Sequence, residues 1–383
     1  MAIPGVSNKK FLFIMILFFL AGALFAKSVT GTISYIEGYV DLYRDGELLD
    51  WELVDIGFSI EEFDLIETGD DGLVEIDLKL PSGSRTTVAV KPGTTFYFEM
   101  EEKSGQNQTS FQMLGGSLSF KVQKLTGKDT LDVHTESAVM GVRGTKFEIV
   151  TSAEGGILVL CEEGAVSCKD DQGRERYSKP GSVVDKVPDK RINSYSVSTE
   201  DLGLYRNYWV SARDEVFRNG AKVFIQGYAK QFLLFEPKFS TVFTELEGVK
   251  TTLERYGKDS ALAGNPGTLF KAKAEVSPAI IKMRSVMPIF EMVFYRLKEL
   301  ESYHNEGLGI GYIDSNLSST DFFNTFGSKK NNISRQLAEV RYLFKLYNNI
   351  HKASGGGPSI LDNPFGGSGV PTGNPPSSGL FGN

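Results

Sequence analysis

Val139-Met140-Gly141-Val142-Arg143-Gly144-Thr145-Lys146-Phe147-Glu148-Ile149-Val150 places an arginine beside two glycines and then alternates. Thr145, Phe147 and Ile149 fall on one side and Lys146 and Glu148 on the other, the period-two pattern of a half-buried strand fed by a tight turn. Gly155-Gly156 interrupts the chain, Ile157 to Cys161 reads as a further strand, and Glu163-Gly164 turns it into Ala165 to Lys169. The expectation is a β-core with a glycine-lined corner at Gly141, Arg143, Gly144, Thr145 and Phe147. The guanidinium has two readings there: it ties backbone carbonyls together, or it clamps a carboxylate ligand through paired donors.

Residues 28–187 continue in the same style. Val29 to Tyr35, Tyr39 to Tyr43 and Leu48 to Val54 are short runs separated by Glu37-Gly38 and Asp45-Gly46, and Asp-Gly favours a hairpin turn with positive φ at both residues. Thr68-Gly69-Asp70-Asp71-Gly72 is another turn, and Leu73 to Leu80 alternates cleanly, with Val74, Ile76, Leu78 and Leu80 on one side. Strands at this spacing with glycine punctuation predict an all-β sandwich, roll or short solenoid. Cys161 and Cys168 are the only cysteines. Across a hairpin at Glu163-Gly164 they would lie diagonally on one face, wide for a disulfide, so both the bonded and the free state are open.

Three stretches of this region resemble a FecR domain. Thr68-Gly69-Asp70-Asp71-Gly72 with the strand Leu73 to Leu80 and Pro81-Ser82-Gly83-Ser84 looks like its first half. The Val133-His134-Thr135 approach, Arg143-Gly144-Thr145-Lys146-Phe147 and Glu163-Gly164-Ala165-Val166 look like its second. The resemblance covers residues 30–185 and implies a periplasmic β-domain that binds other proteins, best known from regulators that pass a signal from an outer-membrane transporter to a cytoplasmic sigma factor. Those regulators carry a sigma-binding segment ahead of a membrane span. Only Met1 to Lys10 precede the apolar run here, so the sigma-regulating role is not expected to carry over.

The C-terminal half changes period. Ser198-Thr199-Glu200-Asp201 has the form of a helix cap, followed by Leu202, Tyr205, Trp209 and Ala212. Asn219-Gly220 predicts a helix end or kink, and a second helix is expected over Ala221 to Phe235, stopped by Pro237. Phe239, Val242, Leu246, Val249, Leu253 and Tyr256 form a stripe; Ile280, Met283, Met287, Phe290, Phe294 and Leu297 form another across Pro288, where a kink is expected; Ile333, Leu337, Val340, Phe344 and Tyr347 form the last. The fold class is therefore mixed and segregated: an all-β FecR-like domain, then an α-helical bundle over 198–352, then a tail. Residues 354–383 hold nine glycines, five prolines and five serines, a composition that cannot offset its ordering entropy. Phe365 and Phe381 within it are either incidental or anchors of a docking peptide.

At the other terminus, Lys9-Lys10 precedes the apolar Phe11 to Leu20 and the small residues Ala21 to Ala26, the layout of a signal peptide over 1–26. Export to the periplasm is expected, with membrane contact only if that segment persists. The net charge is −7, or −9 without Lys9 and Lys10, which argues against a nucleic-acid partner.

The search for chemistry returns little. His134, His304 and His351 lie in separate elements, and no metalloprotease, nucleophile-elbow or phosphate-loop motif occurs. No metal or cofactor is expected. Glu61, Glu62, Asp64, Glu67, Asp70 and Asp71 belong to a stretch between Trp51 and Asp77 with no Lys or Arg. It reads as a solvated acidic face or a docking patch for a basic partner; a calcium site or a glycosidase carboxylate pair are the alternatives. The functional expectation is a non-enzymatic envelope scaffold or adaptor that binds protein or cell-wall glycan. A sensing component that meets an outer-membrane receptor is the second reading, and an exported carbohydrate-active enzyme the third.

Overall fold

Asp45 and Gly46 both take positive φ, 52° and 91°, and join Val40–Arg44 to Glu47–Leu48 in the hairpin that Asp-Gly predicts. In this computed structural model residues 30–80, 83–103, 106–125 and 129–355 are described. The leader over 1–26 and the tail from residue 356, Phe365 and Phe381 included, lie outside them.

Hairpins and single strands are dealt alternately to two nine-stranded sheets. The first sheet runs from Asn193–Ser196 through Ser182–Lys186, Ile157–Glu163, Lys146–Thr151, Ser117–Val122, Arg85–Val90, Leu73–Lys79 and Gly31–Glu37 to Ser59–Ile60. The second runs from Glu175–Ser178 through Val166–Asp170, Ala138–Val142, Asp129–His134, Gln106–Gly115, Thr95–Lys103, Leu65–Thr68 and Val40–Arg44 to Glu47–Leu48. Their inner faces share one core, in which Phe120 stacks on Phe147 at 4.8 Å and meets Phe111 edge-on at 5.1 Å. Of the sandwich, roll and solenoid that the pattern left open, the sandwich is the one formed. The run Leu48 to Val54 is not a strand: after Leu48 the chain makes a short 3-10 turn over Trp51–Leu53 and crosses to the other sheet.

Among the described residues four α-helices follow: α1 (Leu202–Glu247), α2 (Lys250–Lys258), α3 (Pro266–Asn305) and α4 (Ser319–Ala353). Ser198 accepts the Asp201 amide at 3.2 Å ahead of α1, Asn265 caps α3 with Pro266 in its first turn, and Ser318 caps α4. The breaks expected at Asn219-Gly220 and Pro237 do not occur: α1 runs unbroken for 46 residues, about 69 Å. A glycine and a proline cost such a helix about 1 and 3 kcal/mol. Burial on both sides of each outweighs that. Phe217 and Ala221 flank Gly220, while Phe232 and Phe239 flank Pro237 and both stack on Phe290, at 5.8 and 4.4 Å. Leu233 and Leu234 are exposed, so the carbonyl that Pro237 leaves without a donor is on the wet side. α3 likewise continues through Pro278 and Pro288. No described helix is long and apolar enough to cross a membrane.

The helices follow the sheets in sequence but not as a separate body. Tyr43, Leu65 and Tyr97 on the outer face of the second sheet, with Phe63 and the turn residue Ala153, join the helical core. The start of α1 covers the other side: Leu202 and Trp209 pack on Val150, Leu158, Leu160 and Val183, the outer face of the first sheet. One helix thus grips both layers. Phe290→Ala removes a ring that is 0% exposed at the centre of the helical core. It should cost about 3–5 kcal/mol, read in urea, with sheet and helix signals lost in one transition.

Candidate functional site

The acidic stretch lies where the sandwich meets the helices, and its basic partner is the chain itself. Alternation sends Ile66 into the sandwich core and Leu65 and Glu67 toward the helices. Glu67 pairs with Lys298 of α3 at 2.5 Å. Lys345 of α4 lies 3.0 Å from Glu61 and 2.8 Å from Asp45, and Lys352 lies 3.8 Å from Glu62. Asp64 is 1% exposed and takes both Arg44 Nε at 2.9 Å and the Glu61 amide at 2.7 Å. Arg44 also reaches Glu61 at 3.3 Å and covers the Phe58 ring. Burial holds the Asp64 and Glu62 carboxyls above their ordinary range in spite of these cations. Asp70 and Asp71 are placed apart from this row, in the exposed turn, where Asp71 accepts the Tyr39 amide at 3.1 Å.

Deeper in lie two clusters that single sequence runs do not signal, the first fully enclosed and the second centred on the buried Arg296 with its carboxylates half-buried. Arg341 of α4 pairs with Glu291 of α3, whose other oxygen accepts the Tyr97 hydroxyl at 3.2 Å, and the guanidinium lies 5.5 Å over the Tyr97 ring. All three side chains are at most 2% exposed. Arg296 of α3 binds Glu136 at 3.2 Å and Glu299, and the Tyr228 hydroxyl of α1 donates to Glu136 at 2.6 Å. Arg206 and Arg213 of α1 extend the row to Glu148, at 2.7 Å, and Glu154, at 3.6 Å. Removing one member of a buried pair leaves an uncompensated charge worth about 3–5 kcal/mol. These contacts therefore set the seat of the helices on the sandwich. They were unreadable because their members lie far apart along the chain, Tyr97 and Glu291 by 194 residues.

The glycine-lined corner is real, but its arginine does not hold it. Arg143 is exposed and makes no hydrogen bond or ion pair with a described residue. Val142 faces the core, so the next side chain on the pleat faces water. Gly144 does the structural work, at φ +68° with Lys124 Cα 2.9 Å from where a Cβ would be. Gly164, at φ +80°, packs on Thr145 and the Gly144 carbonyl. Thr145 and Phe147 are buried, whereas Gly141 has ordinary φ and room beside it. Because Gly164 carries the chain across to the other sheet, the hairpin expected between the cysteines is not formed. Cys161 lies in the first sheet opposite Phe147 and Cys168 in the second opposite Met140, both free and buried in the sandwich core. Burial pushes their thiols up to about 11 and about 12, so neither is a nucleophile at neutral pH.

Of the histidines, His304 shares a hydrogen bond of 2.9 Å with Ser319 against the Phe323 ring, and burial lowers its pKa. His134 ends a strand and His351 stands near Tyr347. Among the described residues no group of three or more His, Cys, Asp or Glu is placed to hold a metal.

Residues 64–167 match the family described as FecR protein. That stretch of the sandwich, from Asp64 to Ser167, is therefore similar to a FecR domain, and both sheets continue beyond the match on either side. No curated protein matches the chain. Two crystal structures of a protein described as an anti-sigma factor, from Parabacteroides distasonis at 1.65 and 2.50 Å, align at 18% identity with TM-scores of 0.30 and 0.29. The alignments cover 37% and 36% of this chain and 63% and 61% of theirs, so it spans under two thirds of either.

Gly144→Ala should lose about 1–3 kcal/mol, while Arg143→Ala should stay within about 0.5 kcal/mol of the parent; chemical denaturation of both variants checks the pair. Glu154 offers a pH test. It is 3% exposed, and burial raises its carboxyl above the ordinary 4.5 against the donors of its own backbone and Ser152 and the pull of Arg213 and Arg296. Stability from such a group is fully present below 4.5 and is lost as pH rises through the raised value. Glu154→Gln, which fixes the neutral form, should melt above the parent at pH 7, and its advantage should shrink as the pH is lowered toward 4.5.

Proposed function

We propose that the protein is an exported, non-enzymatic scaffold or adaptor of the cell envelope, built to present surfaces of a FecR sandwich to other proteins or to cell-wall glycan. The observation that carries this reading is the use made of the buried charges. Glu291 with Arg341 ties α3 to α4 over the Tyr97 hydroxyl, and Glu136 with Arg296 and Glu67 with Lys298 fasten α3 to the sandwich, where a catalytic site would keep perturbed groups facing an open cleft. Export rests on the basic, apolar and small-residue order of positions 9–26.

The second reading is a periplasmic sensing component that meets an outer-membrane receptor and relays through a separate membrane protein. The FecR match over 64–167 favours it. In either case the acidic row at Glu61, Glu62, Asp64 and Glu67 is not the binding surface, because the chain's own cations occupy it.

Cross-linking in intact cells, followed by affinity purification and mass spectrometry, separates these. Recovery of envelope-assembly or cell-wall components without a receptor is the expected result. Recovery of an outer-membrane receptor would move the protein to the sensing reading. Glycan turnover by the purified protein, abolished by one carboxylate substitution, would overturn the non-enzymatic assignment.

A further inference from the structure

α1 keeps one face out of every core described above. From Leu204 to Leu234, about 45 Å along the axis, that face carries Leu204 at 72% exposed, Tyr208 at 70%, Val216 at 41%, Val223 at 44% and Leu234 at 56%. The steps between them are four, eight, seven and eleven residues, which stay on one side of a helix.

The charges along this face are sorted by sign. Before Asn219 the exposed charges without an ion pair among the described residues are Glu200, Asp201 and Glu215; from there to Lys238 they are Lys222, Lys230 and Lys238. The other charges of the span are held within the chain: Arg206 by Glu148, Arg213 by Glu154, Asp214 and Arg218 by each other, and Glu236 by Lys329. The helix dipole favours acids in a first turn but fades within it, and Glu215, Lys222 and Lys230 lie further in than that. None of the three lysines has an acid three or four places away on its own helix, so they do not support α1 from within.

We propose that α1 pairs with α1 of a second copy, antiparallel, about a two-fold axis beside Asn219. Reversing the helix on itself about that residue brings Glu215 opposite Lys222, and Glu200 and Asp201 opposite Lys238. The same reversal brings Val216 opposite Val223, Leu204 opposite Leu233 and Leu234, and Lys230 onto the Tyr208 ring as a cation-π pair. The members of each pair lie equally far from Asn219 to within one residue. A parallel pairing would set Glu215 against Glu215 and Lys222 against Lys222, and a partner of one sign would match only half of the face. Charge complementarity therefore selects a reversed copy of the same helix. The contact is isologous, so every pair occurs twice and the assembly closes at two chains. The loop after α3 lies along the same midpoint, with Gly311 against Lys222, and leaves Ile310 and Tyr312 exposed there. The inference does not rest on the scaffold reading and holds whichever envelope partner the protein meets.

The test is sedimentation equilibrium on the full-length protein as recovered from cells, with parent and variants at matched concentrations. The parent should sediment at twice the mass of one chain. Glu215→Lys and Lys222→Glu, each alone, should weaken the dimer about 30-fold or more, because two like-charge contacts replace two unlike ones. Both substitutions in one chain, or the two single variants mixed, should restore it, since the exchanged charges again face their opposites across the axis. Tyr208→Ala, which changes no charge, should weaken it about 10-fold. All these side chains are exposed, so each variant should melt like the parent. A parent that is monomeric at every concentration overturns the proposal. So does a dimer that the single reversals leave intact, and so does a double variant that stays monomeric. Failure here leaves the scaffold reading standing, since that reading is tested by what is cross-linked in cells.

Discussion

The fold depends on neutralising the outer face of the second sheet. That face carries Glu67, Tyr97, Glu99 and Gln112, residues suited to water, yet it lies beneath α3 and α4. The Tyr97–Glu291–Arg341 cluster settles the conflict by giving the buried carboxylate a cation from one helix and a hydroxyl from the sheet. Because the three groups come from three elements, the bonds can be made together only when both helices sit at one height and rotation. The Lys298–Glu67 and Lys345–Glu61 pairs around it are partly exposed. Pairs of that kind add no more than about 1 kcal/mol each, and their role is to oppose other seats.

α1 supplies the second constraint. Its first turns lie on the first sheet through Leu202 and Trp209, its middle spans the edge through Arg213 and Tyr228, and its far half packs on α3. A helix broken at Gly220 or Pro237 would lose that continuity, and the two layers would be held only by their own core. Packing pays for both residues.

The most deeply buried charges of the helical core are partnered within the chain. Glu291, Asp64 and Asp170 each found a cation within the chain, and exposed aromatic and aliphatic side chains remain at the two ends of the sandwich.

Much of this was legible in the residues. Alternation from Leu73 to Leu80, the Asp45-Gly46 turn, the Ser198 cap and the stripes through Ile280–Leu297 and Ile333–Tyr347 each depend on neighbours within a few positions, and local chemistry determines them. The FecR character over 64–167 was likewise carried by short motifs. The acidic run, Arg143 and the cysteines were another matter. Whether Glu67 meets water or Lys298, and whether Cys161 and Cys168 share a sheet, depends on which distant segment arrives beside them. Charge pairing acts across space rather than along the chain, so the sequence by itself determined which residues could be partners, and only the packing of α3 and α4 onto the second sheet decided which of them are.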